Sequence, residues 1–474
     1  MNGDSQFKEV KNKLDSVGCG FCLAKWTQVT MHLHNGMTHS CHHPMPHKIP
    51  LSEIKNNPSA LHNTKYKKER RKEMLNNQRP VECEYCWNVE DNSNSFSDRV
   101  FKSEEPWALP YLNEITELDW RANYNPKYVE VSFSNTCNFK CSYCGPLFSS
   151  KWVEESEKFG GYPTSANFNN LNYLNNNDLN SYKHSEENPY VEAFWKWWPE
   201  LYRDLHTFRI TGGEPLLSKD TWKVLDYIIE EENPNKNLHL AINTNLGSPK
   251  KLIDTFIEKI NKIEEGERVK DFIIFTSIDG WGKQAEYGRH GMDFELFWEN
   301  LENVLIKCPT VTIGIMCTYN AFSVTSFDLL IKNVYELKKK YSSLKRAWTT
   351  AVTLDSSYLR YPRHQTVQML PKEFSENVKM HYEVMKEHEE IFHTIHNEYG
   401  VTYGYSEVEI TKIKRIYDWM LSPQNKDEQE RNRIDFIKFV DEHDKRRETN
   451  FLEVFPEFKQ FYEDYKMKTN GYNI

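Results

Sequence analysis

The sequence predicts an α/β fold: an open, partial (β/α)6 barrel of the TIM type, with a cysteine-rich region before it and a helical region after it. Three observations lead there. Six short β-rich runs are each followed by a helical stretch, polar motifs stand directly at the ends of those runs, and the flanks show no such alternation. Strands alternating with helices give parallel sheets with right-handed crossovers, and in barrels the reactive groups lie on loops leaving the carboxyl ends of the strands.

Residues 1–105 come first, with five cysteines, six histidines between His32 and His47, and a basic, helical-looking stretch from Tyr66 to Met74. Strand signals are few there. The β-rich runs follow at Tyr128–Phe133, Thr207–Thr211, Leu238–Asn243, Phe272–Ile278, Val311–Cys317 and Ala347–Leu354, which sets the barrel at 126–370. Between the first two runs lies an insertion, about 154–200, rich in asparagine and ending in Phe194-Trp-Lys-Trp-Trp198. A long irregular segment is usually functional or a spacer, and its tryptophans read as packing residues. Residues 371–474 are helical and strongly charged, as in Asp427–Arg447, which reads as a solvated helix face.

With 38% hydrophobic and 14% aromatic residues, 474 residues suffice for two or three real cores. The net charge of −9 argues against a general polyanion binder and leaves only Lys65–Lys72 and Lys338–Arg346 as basic candidates for contact with RNA. No run approaches the roughly 18 apolar residues of a membrane span, and Met1-Asn-Gly-Asp-Ser-Gln6 lacks the form of a signal peptide, so a cytoplasmic protein is expected. Eight of the ten cysteines fall in short spacings that suit metal binding under reducing conditions rather than a disulfide scaffold.

Cys137, Cys141 and Cys144, in the run Ser134-Asn-Thr-Cys-Asn-Phe-Lys-Cys-Ser-Tyr-Cys-Gly145, supply three thiolates with no fourth nearby. Three thiolates can hold three irons of a cubane and leave the fourth iron open, whereas an electron-transfer cluster is usually closed by four. Further polar motifs end the later runs. Gly212 and Gly213, before Glu214, let the backbone approach a ligand closely. Asn243, heading Asn-Thr-Asn-Leu246, offers amides suited to ribose hydroxyls or to a turn. Ser277 and Asp279 in Ser-Ile-Asp-Gly280 are an odd way to continue an apolar strand unless they face a ligand. Arg289 follows one loop later, with a guanidinium able to fork onto a carboxylate.

The three-cysteine spacing resembles the signature of the radical S-adenosylmethionine (SAM) superfamily, and Tyr143 stands where that family usually has an aromatic residue. The likeness runs on through Gly145-Pro-Leu-Phe-Ser-Ser-Lys-Trp152 and, by strand and motif order, covers about 128–354. It implies a [4Fe-4S] cluster on Cys137, Cys141 and Cys144 whose open iron is chelated by SAM. It also implies SAM contacts from Tyr143, Gly212, Gly213, Glu214, Ser277, Asp279 and Arg289, with Asn243 a further candidate from its own amide chemistry. Reductive cleavage of SAM to a 5′-deoxyadenosyl radical would follow, fed by a flavodoxin- or ferredoxin-like donor.

Cys22, Cys41, Cys83 and Cys86 make a second thiol set, with Cys19 as a spare. Cys22-Leu-Ala-Lys-Trp26, Cys41, Cys83-x-x-Cys86, then Glu90 and Ser97-Asp-Arg99, resemble a twitch-type auxiliary cluster domain, a shortened relative of the SPASM domain, placed here before the barrel. The resemblance implies a second, auxiliary [4Fe-4S] cluster, with zinc as the alternative for an all-thiolate site. Twitch and SPASM relatives often modify peptides or proteins, so a peptidyl substrate is expected. The competing readings are a non-catalytic zinc or iron–sulfur interaction protein and an RNA-modifying radical SAM enzyme. Cys308 and Cys317 read as buried, inert thiols.

Overall fold

The computed structural model describes residues 3–183, 186–390, 400, 401 and 403–469, and the statements below concern those residues. The fold is mixed α/β with mostly parallel strands. In chain order the strands are β1 (Gln28–His32), β2 (Met37–His39), β3 (His47–Lys48), β4 (Tyr128–Ser132), β5 (Lys140–Cys141), β6 (Thr207–Thr211), β7 (His239–Asn243), β8 (Asp271–Ser277), β9 (Arg289–His290), β10 (Thr312–Tyr319) and β11 (Val352–Tyr358). All six expected runs thus form strands. The last starts five residues later than expected, because the stretch before it is a turn with Thr349 in the left-handed region, held by Arg346 donating to the Leu305 and Cys308 carbonyls.

The chain divides into two compact units. The first gathers Met1–Ser134, Ser181–Ala241 and Glu267–Lys270. Here β4 pairs in parallel with β6 (Ser132 opposite Thr211) and, on its other side, with β1 (His32 opposite Ser132), while β1, β2 and β3 form an antiparallel run. The strand β1 is absent from the sequence reading, although Asn35-Gly36 between alternating residues is a strong hairpin signal. Gly36 adopts φ +71°, and a Cβ there would lie 2.1 Å from the Tyr190 ring, so only glycine fits. Tyr190 opens the helix Pro189–Asp204, capped by Asn188, whose side chain accepts from the amides of Tyr190 and Val191. Trp197 and Trp198 on that helix are buried, as expected for packing residues. A second core forms around Leu14, Phe21, Trp26, Met74, Trp87 and Val100.

The basic stretch does form a helix, Lys65–Leu75, but it is no continuous cationic face. Lys67 and Arg71 are fully buried, Arg71 donating to Asn63 Oδ1 at 2.9 Å and to the Lys25 carbonyl at 3.3 Å. Lys338 and Arg346, in the other basic stretch, are buried as well, Lys338 against Glu409.

The second unit gathers Asn135–Asn180, Ile242–Gly266 and Asp271–Ile474. There β8, β10 and β11 run parallel (Ser277 opposite Met316, Tyr319 opposite Tyr358), and the short β5 pairs antiparallel with β9. The helices Phe294–Lys307 and Phe327–Tyr341 lie between consecutive strands. The charged helix Lys426–Arg447 departs from the expected solvated face: Ile434, Phe436, Ile437, Phe439, Val440 and Arg447 are buried. Apolar residues at helical spacing inside a charged stretch give it a core side that net charge conceals.

Candidate functional site

The three-cysteine loop lies in the second unit, and its backbone is tied down from four directions. Strand β5 pairs with β9, which sets Cys141 opposite Arg289. Trp152 Nε1 donates to the Cys141 carbonyl (3.0 Å), Gln365 Nε2 to Ser142 O (3.0 Å) and Asn169 Nδ2 to Cys144 O (3.1 Å). Ser142 donates its amide to Gly288 O (2.7 Å), and the Cys137 amide reaches Ser150 Oγ (3.3 Å). Asn169 sits in the left-handed region, which asparagine tolerates, and so gives the asparagine-rich insertion a direct hold on the loop.

Cys137, Cys141 and Cys144 are half-buried as residues. Burial, followed by the proximity of Cys141 and Cys137, pushes the Cys144 thiol up to about 12. Burial also raises Cys141, with Arg289 pulling the other way. Buried thiols such as Cys141 and Cys144 are costly to ionise alone and favourable once cations share their charge, so the donor set fits a thiolate-held cluster.

Beside it stands a buried polar cage. Arg289 forks onto Asp279, Nε to Oδ2 at 2.8 Å and Nη2 to Oδ1 at 3.1 Å, and Nη2 also donates to the Tyr143 hydroxyl. Tyr143 in turn donates to Asp279 Oδ2 (3.0 Å), and the Thr318 amide to Asp279 Oδ1 (2.8 Å). The fork that the sequence reading reserved for a bound carboxylate is therefore held by Asp279, while Arg289 Nη1 lies 3.5 Å from Cys141 Sγ. Ser277 and Asn243 close β8 and β7, half-buried. Cys317 is buried next to Asp279, and burial first, then Asp279, drives its thiol well above the usual value. From the far end of the chain, Arg447 donates to Lys140 O (3.2 Å) and stacks 4.8 Å over Trp152.

Gly212, Gly213 and Glu214 lie in the first unit. Gly212 has φ +132°, and a Cβ there would sit 2.6 Å from Ser134 O, so the close approach is to the chain itself. Gly213 donates its amide to the same carbonyl (3.1 Å). Glu214 is buried and accepts from the Leu216 amide (3.0 Å), capping the short 3-10 helix Pro215–Leu217. Past these strand ends opens a cleft of about 540 Å3, lined by Phe133, Ser134, Trp195, Asp220 and Lys223 among others. Trp195 is thus the one of the three clustered tryptophans that lines the cleft, donating to Asp220 Oδ1 (2.8 Å) with Lys223 Nζ 3.9 Å over its ring.

Cys22, Cys41, Cys83 and Cys86, also in the first unit, line one pocket together with Lys25, His43, Asp98 and Arg99. Cys83 and Cys86 stand on the turn into the helix Glu84–Asn92 and are buried. Burial first, then the neighbouring thiols, pushes Cys41 up to about 11 and Cys83 and Cys86 up to about 12. Lys25 is buried and paired with Glu82; although burial opposes its charge, Cys83 and Glu82 hold it above the usual lysine value. The Glu90, Ser97 and Arg99 of the twitch-like pattern form a staple. Ser97 Oγ donates to Glu90, and Arg99 forks onto Glu90 (2.9 and 3.0 Å) while reaching the Phe21 carbonyl (3.0 Å) and Asp15 (2.8 Å). Cys19 stands apart from this pocket, its Sγ 3.3 Å from the Asn77 carbonyl.

Among the described residues, no helix is long and apolar enough to cross a membrane. No family profile matches the chain. The chain is similar to GTP 3′,8-cyclase from Aliarcobacter butzleri (strain RM4018), 29% identical over 139 residues, which is 28% of this chain and 33% of that protein. It thus spans about a third of the length of this relative, which is a radical SAM enzyme. The similarity is in keeping with the resemblance of the three-cysteine motif to the radical SAM superfamily.

Proposed function

We propose that the chain is a radical SAM enzyme whose Cys137, Cys141 and Cys144 hold the SAM-binding [4Fe-4S] cluster, and whose substrate is a peptide or protein. One observation carries the reading: three cysteines within eight residues, on a loop pinned opposite Arg289 with the Asp279–Tyr143 cage beside it. When bound, the cluster supplies the electron that cleaves SAM to a 5′-deoxyadenosyl radical. The protein's own part is to hold the loop rigid through Trp152, Gln365 and Asn169, and to keep a fixed positive charge, Arg289, against Cys141. Asp279 fixes the orientation of that charge, and Ser277 and Asn243 offer polar groups at neighbouring strand ends. The six expected strands then belong to a partial barrel, and the electron donor is a flavodoxin- or ferredoxin-like protein. The mixed charge of the Trp195 cleft, with Lys223 and Asp220 beside an aromatic ring, supports a peptidyl substrate.

The N-terminal set is read as an auxiliary [4Fe-4S] site in a twitch-like region. Zinc–sulfur bonds of about 2.3 Å place tetrahedral thiolates about 3.8 Å apart. Among the described residues, the one grouping of three or more potential ligands with all ligand atoms within 4.8 Å of one another is His42, His43 and Asp98, so the four sulfurs are spread too widely for a single ion. A cluster of several irons fits that spread better. The test is anaerobic reconstitution, reduction with dithionite and assay for 5′-deoxyadenosine. Product is expected from fully loaded protein, and full loading without product would leave a non-catalytic metalloprotein.

A further inference from the structure

His43 and Asp98 line the pocket of the four N-terminal cysteines, and together with His42 they carry no role in the function proposed above. Both histidines follow Cys41 in an irregular loop, and Asp98 opens the helix Asp98–Glu104. The chain folds so that both imidazoles meet one carboxylate oxygen: Asp98 Oδ2 lies 3.0 Å from His42 Nε2 and 2.6 Å from His43 Nε2. The rings of these consecutive residues lie 4.1 Å apart on the same side, where extended backbone would send them to opposite faces. His43 is further fixed by stacking on Tyr85 at 3.8 Å. The three ligand atoms all lie within 4.8 Å of one another, and the group remains open to solvent, since His42 is 59% exposed and Asp98 30%.

We propose that His42, His43 and Asp98 form a mononuclear site for a divalent first-row cation of the zinc class. Two imidazole nitrogens and one carboxylate oxygen are a donor set that such cations accept, with metal–ligand distances of about 2.0–2.2 Å. Ligands at those distances stand roughly 3.3–3.5 Å apart, so an entering cation opens the present contacts by less than about 1 Å, within reach of the exposed His42 side chain. On binding, each Nε2 turns from a hydrogen-bond partner of Asp98 into a metal ligand. Three protein ligands leave a fourth position open to water or to an anionic group, as in metal sites that exchange a ligand. The proposal stands whether the four neighbouring thiols hold iron, zinc or nothing.

The experiment uses the full chain, reconstituted with iron and sulfide, desalted, and titrated with Co2+ and with Zn2+. The expected result is about one added ion per chain at unchanged iron content. Its Co2+ spectrum should show the visible bands of nitrogen and oxygen ligation without thiolate charge transfer in the near ultraviolet. Asp98→Asn, which keeps shape and hydrogen bonding, and His42→Ala, at an exposed position, should each weaken binding at least tenfold while iron content stays the same. Equal binding by the wild type and Asp98→Asn would overturn the site. So would an ion that enters only as iron leaves, shows thiolate charge transfer, or disappears with Cys83→Ala. No added ion at full iron loading would reduce the three residues to a clamp on the Cys41 loop.

Discussion

The two cysteine sets use the same donor and differ in what surrounds it. Cys137, Cys141 and Cys144 stand half-buried on a loop whose carbonyls are individually tied, beside an arginine whose charge Asp279 has already claimed. Cys22, Cys41, Cys83 and Cys86 line one pocket with Lys25 and Arg99, with Cys83 and Cys86 buried and Cys22 and Cys41 half-buried. Three thiols suit a cluster with one iron left to meet a ligand, whereas four suit one that stores electrons or orders a fold. The contrast lies in sulfur count, not in the chemistry of the thiol.

The strongest test of that contrast removes one sulfur from each set. Cys141→Ala should abolish 5′-deoxyadenosine formation, and Cys83→Ala should remove about four irons while sparing the other site, as read by iron analysis and electron paramagnetic resonance. Loss of all iron from Cys83→Ala would show that the two sets do not load independently.

Next in size are the buried arginines. Asp279→Asn leaves Arg289 facing a neutral amide in a site only 6% exposed, and should cost about 3–5 kcal/mol in denaturant unfolding of the metal-free protein. Glu90→Gln should cost less, about 1–3 kcal/mol, because Arg99 keeps Asp15 and the Phe21 carbonyl. Equal costs would mean that Asp279 is no more the chief partner of its arginine than Glu90 is.

Acid should act on both units alike. Burial lowers His34 and His47 to about 3 in the first unit, and His364 to about 3 and His381 to about 4 in the second. These histidines are neutral when folded, so their contribution is fully present above the unfolded value near 6.5 and is lost as pH falls from there towards 3–4. At pH 5 each should cost about 2 kcal/mol relative to pH 7. Unfolding midpoints measured from pH 7 to pH 4.5 would fall in step, and a flat profile would contradict the neutral, buried state. The smallest effect is expected from Asn169→Ala, about 1 kcal/mol, with a broadened cluster signal as the Cys144 carbonyl loses its donor.

What was legible in the sequence was local. The alternation of β-rich and helical runs marked all six strands, and the one start misplaced by more than a residue, at β11, lies where Arg346 reaches back to carbonyls some forty residues earlier. Charge misled where a helix has two faces: Asp427–Arg447 read as solvated and Lys65–Lys72 as a basic candidate for RNA contact, yet Phe436, Phe439, Lys67 and Arg71 are buried. The hairpin at β1 carried a signal in Asn35-Gly36 that the surrounding histidines obscured.

By itself the sequence determined which residues stand close along the chain: three thiols within eight positions, a Cys-x-x-Cys pair, glycines at a strand end. Spacing along one segment is fixed by covalent geometry and needs no partner. Only the tertiary structure decided that Asp279 takes the fork of Arg289, that Asn169 and Gln365 hold the cysteine loop, that Cys19 stands apart, and that His42 and His43 converge on Asp98. Those pairings join residues distant in sequence, or turn neighbouring side chains to one side. They arise from burial, which leaves each polar group to find a partner wherever the packed chain supplies one.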